Sequence, residues 1–200
     1  MIYLYGAGGH AKVIAEILEL NGQNIAGVFD ADLSKRLFGL AALPFPGPFD
    51  PSADQLLISI GNNAIRKKIA HAIKANYVSA IHPAATLSKL VTIQEGTVVM
   101  GGVVINADTT IGKHCIINTS ASADHDCIIE DFVHISPHAA LCGGVTVGEG
   151  AHIGTGAIII PGKKIGAHSI IGAGAVVLRD IPANVVAVGN PAKVIRSVNR

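Results

Sequence analysis

The chain has 200 residues, half of them hydrophobic, with only 4% aromatic and 14% charged residues, 23 glycines and a formal net charge of +1. That balance excludes a coiled coil, a charge-rich disordered protein and a nucleic-acid binder, which needs a basic excess or aromatic stacking platforms. No run approaches the roughly 18 uninterrupted apolar residues of a membrane span, and Met1 leads into a strand-like segment without a basic leader, so a cytoplasmic protein with no membrane span is expected. Cys115, Cys127 and Cys142 form no CxxC pair, which fits reduced thiols better than a disulfide frame.

Residues 1–80 read as alternating strand and helix. Residues 1–5 form a short strand, Gly6-Ala7-Gly8-Gly9-His10-Ala11 a glycine turn, and residues 12–20 a helix with Val13, Ile14, Ile17 and Leu18 at helical spacing. A strand over 24–29 ends at Asp30. A Pro/Gly-rich loop over 43–51 leads to a buried strand over 55–60, then Gly61-Asn62-Asn63 and a helix over 65–76. Alternating β and α implies a parallel sheet with its ligand at the carboxyl ends of the strands. Gly6, Gly8 and Ala11 satisfy GxGxxG/A, and Asp30 lies near the position of a ribose-binding acid. The unit is half a dinucleotide fold, however, and a free helix N-terminus binds any phosphate; a nucleotide-sugar, a dinucleotide and a bare tight turn all fit the residues.

From residue 81 the chain repeats with a period of six. Stepping by six from Ile81 through Leu87, Ile93 and onward to Val177 meets only aliphatic residues, a run that chance would give about once in 10^5. Four residues after each of these positions stands a small residue, as at Ala85, Cys115, Ala121, Cys127 and Ala157; Lys163 alone is large. Period six fits neither a helix nor a meander but a solenoid of short strands, whose narrow prism takes aliphatics inward and has no room for aromatics. The fold class expected is therefore α/β plus all-β: a small Rossmann-like domain over 1–80, then a parallel β-helix over 81–200 with a C-terminal cap.

Residues 81–195 resemble the hexapeptide-repeat acyltransferases, whose three-sided left-handed β-helix has eighteen residues per coil; left-handedness and a homotrimer are what that resemblance implies. Asp180-Ile181-Pro182-Ala183-Asn184 and Val188-Gly189-Asn190-Pro191-Ala192-Lys193 resemble the family segment that ends the coil and closes over the coenzyme. GAGGHAK at 6–12 and SIGNNAIRKKI at 59–69 are similar to the N-terminal domain of bacterial nucleotide-sugar acetyltransferases and sialic acid O-acetyltransferases. The resemblance assigns nucleotide-sugar contacts to Gly8, Gly9, His10, Asp30 and Gly61; Asn62 is added as a nearby polar group.

Seven of the nine histidines fall after residue 81, and the six from His114 to His168 lie on the coil, none at an inward register position. His134 and His152, eighteen apart, stack, but two ligands make no metal site and no metal is expected. His125 stands between Asp124 and Asp126 on a solvent-facing corner. A carboxylate bonded to one imidazole nitrogen fixes the tautomer and raises the basicity of the other, so His125 is the candidate general base. Eighteen residues on, Gly143 brings bare backbone beside the ring, a candidate oxyanion donor. Spacing leaves open which acid orients the ring. The segment NTSxxxxHxC over 118–127 resembles the catalytic segment of the UDP-4-amino-sugar N-acetyltransferases of the bacillosamine pathway, in which the acid after the histidine raises its basicity. That resemblance implies Asp126 as the orienting acid, where those relatives carry Glu, with acetyl-CoA touching His134, Gly143, Thr155 and Ala173 and Asn118 lining the site. It implies acetyl transfer to the 4-amino group of a nucleotide-linked 4-amino-4,6-dideoxy sugar, UDP-linked. An O-acetyltransferase acting on sialic acid or another sugar hydroxyl and a non-catalytic solenoid scaffold are the alternatives.

Overall fold

The structure, a computed structural model, describes residues 1–198; Asn199 and Arg200, included in the expected second domain, lie outside the described residues. The first unit is a sheet of order β3-β4-β2-β1-β5-β6, formed by β1 (Ile2–Tyr5), β2 (Ile25–Phe29), β3 (Arg36–Leu37), β4 (Leu40–Leu43), β5 (Gln55–Ile58) and β6 (Asn76–Tyr77). It is parallel apart from the β3–β4 hairpin. Helix α1 (Gly9–Leu20) crosses from β1 to β2, and α2 (Asn63–Ala72) from β5 to β6. Both helices begin before their expected starts, because Gly8 and Asn62 are the N-caps and the turn before each is already helical. The second also stops early: Ile73 is extended and the chain enters β6, which the helical spacing concealed. The hairpin also replaces part of the expected loop. Phe38 and Gly39, both at positive φ, make a two-residue turn that a Pro/Gly count does not reveal.

The sheet is covered on both sides. Tyr3, Phe29, Phe49 and Leu56 build an aromatic layer on one. On the other, Leu4, Val28 and Leu57 pack against Ala11, Ile14, Ile17 and Leu18 of α1, and the same cluster continues into Ala80, Val98 and Ile116 of the second unit. Of the eight aromatic residues, only Phe132 belongs to that second unit.

The second unit is a three-faced prism. Its first face runs through strands beginning at Ala80, Val98, Ile116, His134, His152 and Ile170; the second begins at Thr86 and the third at Thr92. Strands on each face pair in parallel with their neighbours eighteen residues away, as in His134↔His152 and Ser122↔Ala140. The period-six aliphatics and the small residues fill the interior as expected, from Val99, Ile117 and Ile153 to Cys115, Cys127 and Ala157. Interior hydroxyls are consumed by the coil itself. Thr109 Oγ1 donates to Asp124 O at 2.6 Å and accepts from Cys127 N at 3.1 Å, bracketing the turn that carries His125. The C-terminal segment, expected to cap the coil, adds strand Val185–Val188 to the first face and folds back as Lys193–Ser197.

The two units are stapled together by α2. Arg66, 1% exposed, spends its guanidinium on His114 O (2.7 Å), Phe132 O (3.0 Å), Ile60 O (3.0 Å), Gly61 O (3.2 Å) and Asn63 Oδ1 (2.8 Å). Asn63 Nδ2 also reaches Gly150 O and Ala151 O, and Lys67 pairs with Glu149. His114 stacks on Phe132 beneath this helix, so that histidine serves packing.

Candidate active site

His125 lies on the edge between the second and third faces, in the four-residue turn between strands Ser122–Ala123 and Ile128–Ile129. Asp126 adopts a positive φ, which turns its carboxylate back so that Oδ2 meets His125 Nδ1 at 2.7 Å. Asp126 is thus the acid that orients the ring; Asp124 Oδ1 instead accepts from the backbone N–H of His125 at 2.9 Å. The hydrogen bond to Asp126, followed by the charge of Asp124, holds the His125 pKa above its ordinary value. With Nδ1–H donating to Asp126, Nε2 is the basic atom. It faces Gly143 so closely that a Cβ there would come within 2.6 Å of it. Among the described residues the Gly143 N–H has no hydrogen-bond partner, while its carbonyl accepts from Gly162.

The other expected residues gather elsewhere. Gly8 caps α1 with no side-chain hydrogen bond, and Gly9 and His10 open the helix. A Cβ at Gly8, Gly9 or Gly61 would meet nothing within 4 Å, so the fold does not require glycine there. Gly6 differs: at φ +116° a Cβ would lie 2.7 Å from Ile60 Cγ1, so that glycine is structural. Asp30 secures the turn, accepting from Ala7 N at 2.8 Å and from Lys35 Nζ. It borders a hollow of about 260 Å³ lined by Tyr5, Ala31, Leu33, Pro44 and Phe45. Asn62 caps α2 through Oδ1, which accepts from Ile65 N at 3.0 Å.

Between this unit and the first face of the prism sits a histidine group. Burial first, then the charge of Arg66, lowers His10 to about 4. Burial, His152, Arg66 and His10 together lower His134 to about 3. Asn118 Oδ1 accepts from Thr119 N, so its amide donates to His134 Nε2 at 3.0 Å and the His134 proton resides on Nδ1. Among the described residues His10 Nε2 has no hydrogen-bond partner, and the Gly61 backbone lies close enough to the His134 ring to oppose the lowering of its pKa. The His134 and His152 rings meet edge to face, their centroids 4.8 Å apart. Among the described residues no group of three or more His, Cys, Asp or Glu could hold a metal ion, and no helix is long and apolar enough to cross a membrane.

Asn118, Thr155 and Ala173 lie on the edge between the first and second faces, the last two directly above one another. One chain therefore brings His10, Gly61, His134 and Asn118 together, with Gly8 and Gly9 opening the helix that carries His10, while Thr155 and Ala173 lie further along the first–second edge. It does not bring His125 and Gly143 to them, because their edge is the vertex opposite the first face. Sequence reasoning missed Arg66, which the neighbouring Lys67 and Lys68 disguise as one more solvated cation. Cys115 and Cys127 are interior, and burial pushes the Cys115 thiol up to about 12, so neither offers a thiolate.

A hexapeptide prism with a carboxylate-oriented histidine on one edge and an α/β unit docked on one face defines a left-handed β-helix acyltransferase. The model of the PglD N-terminal domain matches residues 1–73. A curated relative, UDP-N-acetylbacillosamine N-acetyltransferase from Bacillus subtilis, is 46% identical over 113 residues, which span 50% of this chain and 50% of that protein. Perosamine N-acetyltransferase from Caulobacter crescentus, solved as a variant with CoA and GDP-perosamine, is 42% identical, covers 97% of this chain and 96% of its own, and superposes with a TM-score of 0.90. The acetyltransferase domain of PglB from Neisseria gonorrhoeae, solved with acetyl coenzyme A, is 36% identical with a TM-score of 0.90 and covers 97% of this chain and 98% of its own. The chain belongs to the hexapeptide-repeat sugar N-acetyltransferase family.

Proposed function

We propose that the protein transfers acetyl from acetyl-CoA to the 4-amino group of a nucleoside-diphosphate-linked 4-amino-4,6-dideoxy sugar, UDP-linked by preference. The observation that carries this reading is the His125–Asp126 pair aimed across bare Gly143 backbone. The neutral amine attacks the thioester carbonyl while His125 Nε2 takes its proton. Asp126 stabilises the imidazolium that forms, and the Gly143 N–H bonds the tetrahedral oxyanion. Collapse expels the CoA thiolate, which recovers the proton from His125.

The nucleotide-sugar occupies the cleft of the first unit. Its diphosphate lies over the α1 N-terminus, where Gly8 and Gly9 leave room and backbone N–H groups are free. The base enters the hollow beside Asp30, and the sugar runs past Gly61, Asn62, His10 and Asn118. Acetyl-CoA extends along Gly143, Thr155 and Ala173 beside His134, with Lys163, Lys164 and Lys193 meeting its phosphates. These groups fall on separate edges of one prism, so the working site needs a second copy to supply the base, and a cytoplasmic homotrimer supplies three such sites.

The test is thiol release from acetyl-CoA by purified protein with UDP-, GDP- and dTDP-linked 4-amino sugars and with free sialic acid. Turnover with a UDP-linked amino sugar, abolished in His125→Ala, is expected. Preference for the GDP-linked sugar overturns the nucleotide assignment, turnover of sialic acid alone overturns N-acetylation, and an active His125→Ala overturns the base.

A further inference from the structure

Asp124, the acid that does not touch the imidazole, is itself held. Asn106, eighteen residues earlier and so one coil below, donates from Nδ2 to Asp124 Oδ1 at 2.8 Å. The same oxygen accepts the backbone N–H of His125. Nothing in the coil calls for asparagine at 106. Its backbone is outside the left-handed region and its side chain is exposed, and the same rank is filled at 142, 160 and 178 by Cys, Ile and Leu. The amide therefore has one visible task, to fix a carboxylate beside the base.

We propose that Asn106 is a positioning residue for the acetyl-transfer reaction, acting through Asp124 to set the orientation and basicity of His125. This rests on His125 being the base. Asn106 is the largest influence keeping the Asp124 carboxyl below its usual range, so the acid stays ionised. An anchored anion next to the ring favours the imidazolium, and a free one swings into solvent where water screens it. The charged groups facing the imidazole are Asp126 and Asp124 on its own turn. Gly143 lies above the ring and Ala107 below it, and Asp108 occupies the register beneath Asp126.

The experiment titrates His125 by NMR, assigned by loss of its signal in His125→Ala, and records kcat/KM against pH for wild type, Asn106→Ala, Asp124→Asn and the double variant. Asn106→Ala is expected to lower the His125 pKa by about half a unit and to reduce kcat about threefold to tenfold, with KM for the nucleotide-sugar unchanged. Asp124→Asn has at least that effect, and adding Asn106→Ala to it changes nothing further. An Asn106→Ala titration that superimposes on wild type, or an equal shift in the Asp124→Asn background, overturns the positioning role. Because the titration needs no turnover, an active His125→Ala defeats the assignment of the base independently.

Discussion

Replacing Arg66 with methionine tests how the α/β unit is held against the prism. Methionine keeps most of the buried volume and removes every donor. Five acceptors then lose their partner, two of them, His114 O and Phe132 O, on the prism side. At ~1 kcal/mol net per hydrogen bond the loss is about 5 kcal/mol. Against it stands the cost of keeping a guanidinium out of water, which burial expresses by lowering the Arg66 pKa from 12.5 to about 10. Relief of that cost returns on the order of 3 kcal/mol, so Arg66→Met destabilises by about 2 kcal/mol. For 200 residues that corresponds to a melting point roughly 5 °C lower, with faster amide exchange in α2 and at the His114 and Phe132 turns. Arg66→Lys should fall nearly as far, since one ammonium cannot reach both units. A melting curve for Arg66→Met within 1 °C of wild type would refute the staple.

Two further outcomes follow from the geometry. Gly143→Ala places a Cβ 2.6 Å from His125 Nε2; the exposed ring swings away at little cost in stability, and kcat should drop about 100-fold with an unchanged melting point, whereas full turnover would show that the ring does not work across Gly143. Acid should destabilise the fold through its neutral histidines. His10 and His114 are lowered by burial to about 4 and His134 to about 3, so below pH 6.5 the unfolded chain takes up protons that the native state refuses. Stability is complete above pH 6.5 and falls as pH drops toward 4; urea unfolding at pH 7, 6 and 5 should show that decline, a shallower one in His134→Asn, and a flat profile would contradict the buried neutral state.

The prism was legible because its rule is periodic and interior: every sixth residue must fill the same cross-section, so Ile81 to Val177 announce it without any knowledge of the edges. The candidate pair, His125 and Asp126, stood out for the opposite reason. His125 between two acids breaks a bland pattern, and the eighteen-residue stack then points to Gly143. Hydrogen-bond direction was not legible. Asp124 and Asp126 are equivalent by spacing, and only the left-handed backbone at Asp126 turns its carboxylate onto Nδ1. Arg66 was hidden because its acceptors are carbonyls of residues up to 66 positions away, and a carbonyl has no side-chain signature. Asn106 was hidden because one exposed amide carries no periodicity.

The distribution of the site over the prism explains how a repeat with almost no sequence freedom in its core can carry specific chemistry. Interior ranks are committed to filling volume, so reactive groups stand on outward ranks, and only at edges do turns allow side chains to converge. The α/β unit covers the first face, while the proposed base, His125, stands on the second–third edge. In the homotrimer proposed above, one copy would meet its neighbour with one kind of edge against the other, a heterologous contact that closes into a ring. Val104 and Ile158 on the second face and Ile128 on the third present exposed apolar side chains in the single chain. In that proposed homotrimer each chain would give its candidate base to one neighbour and its candidate substrate cradle to the other, so assembly would complete the site without any side chain having to cross the prism.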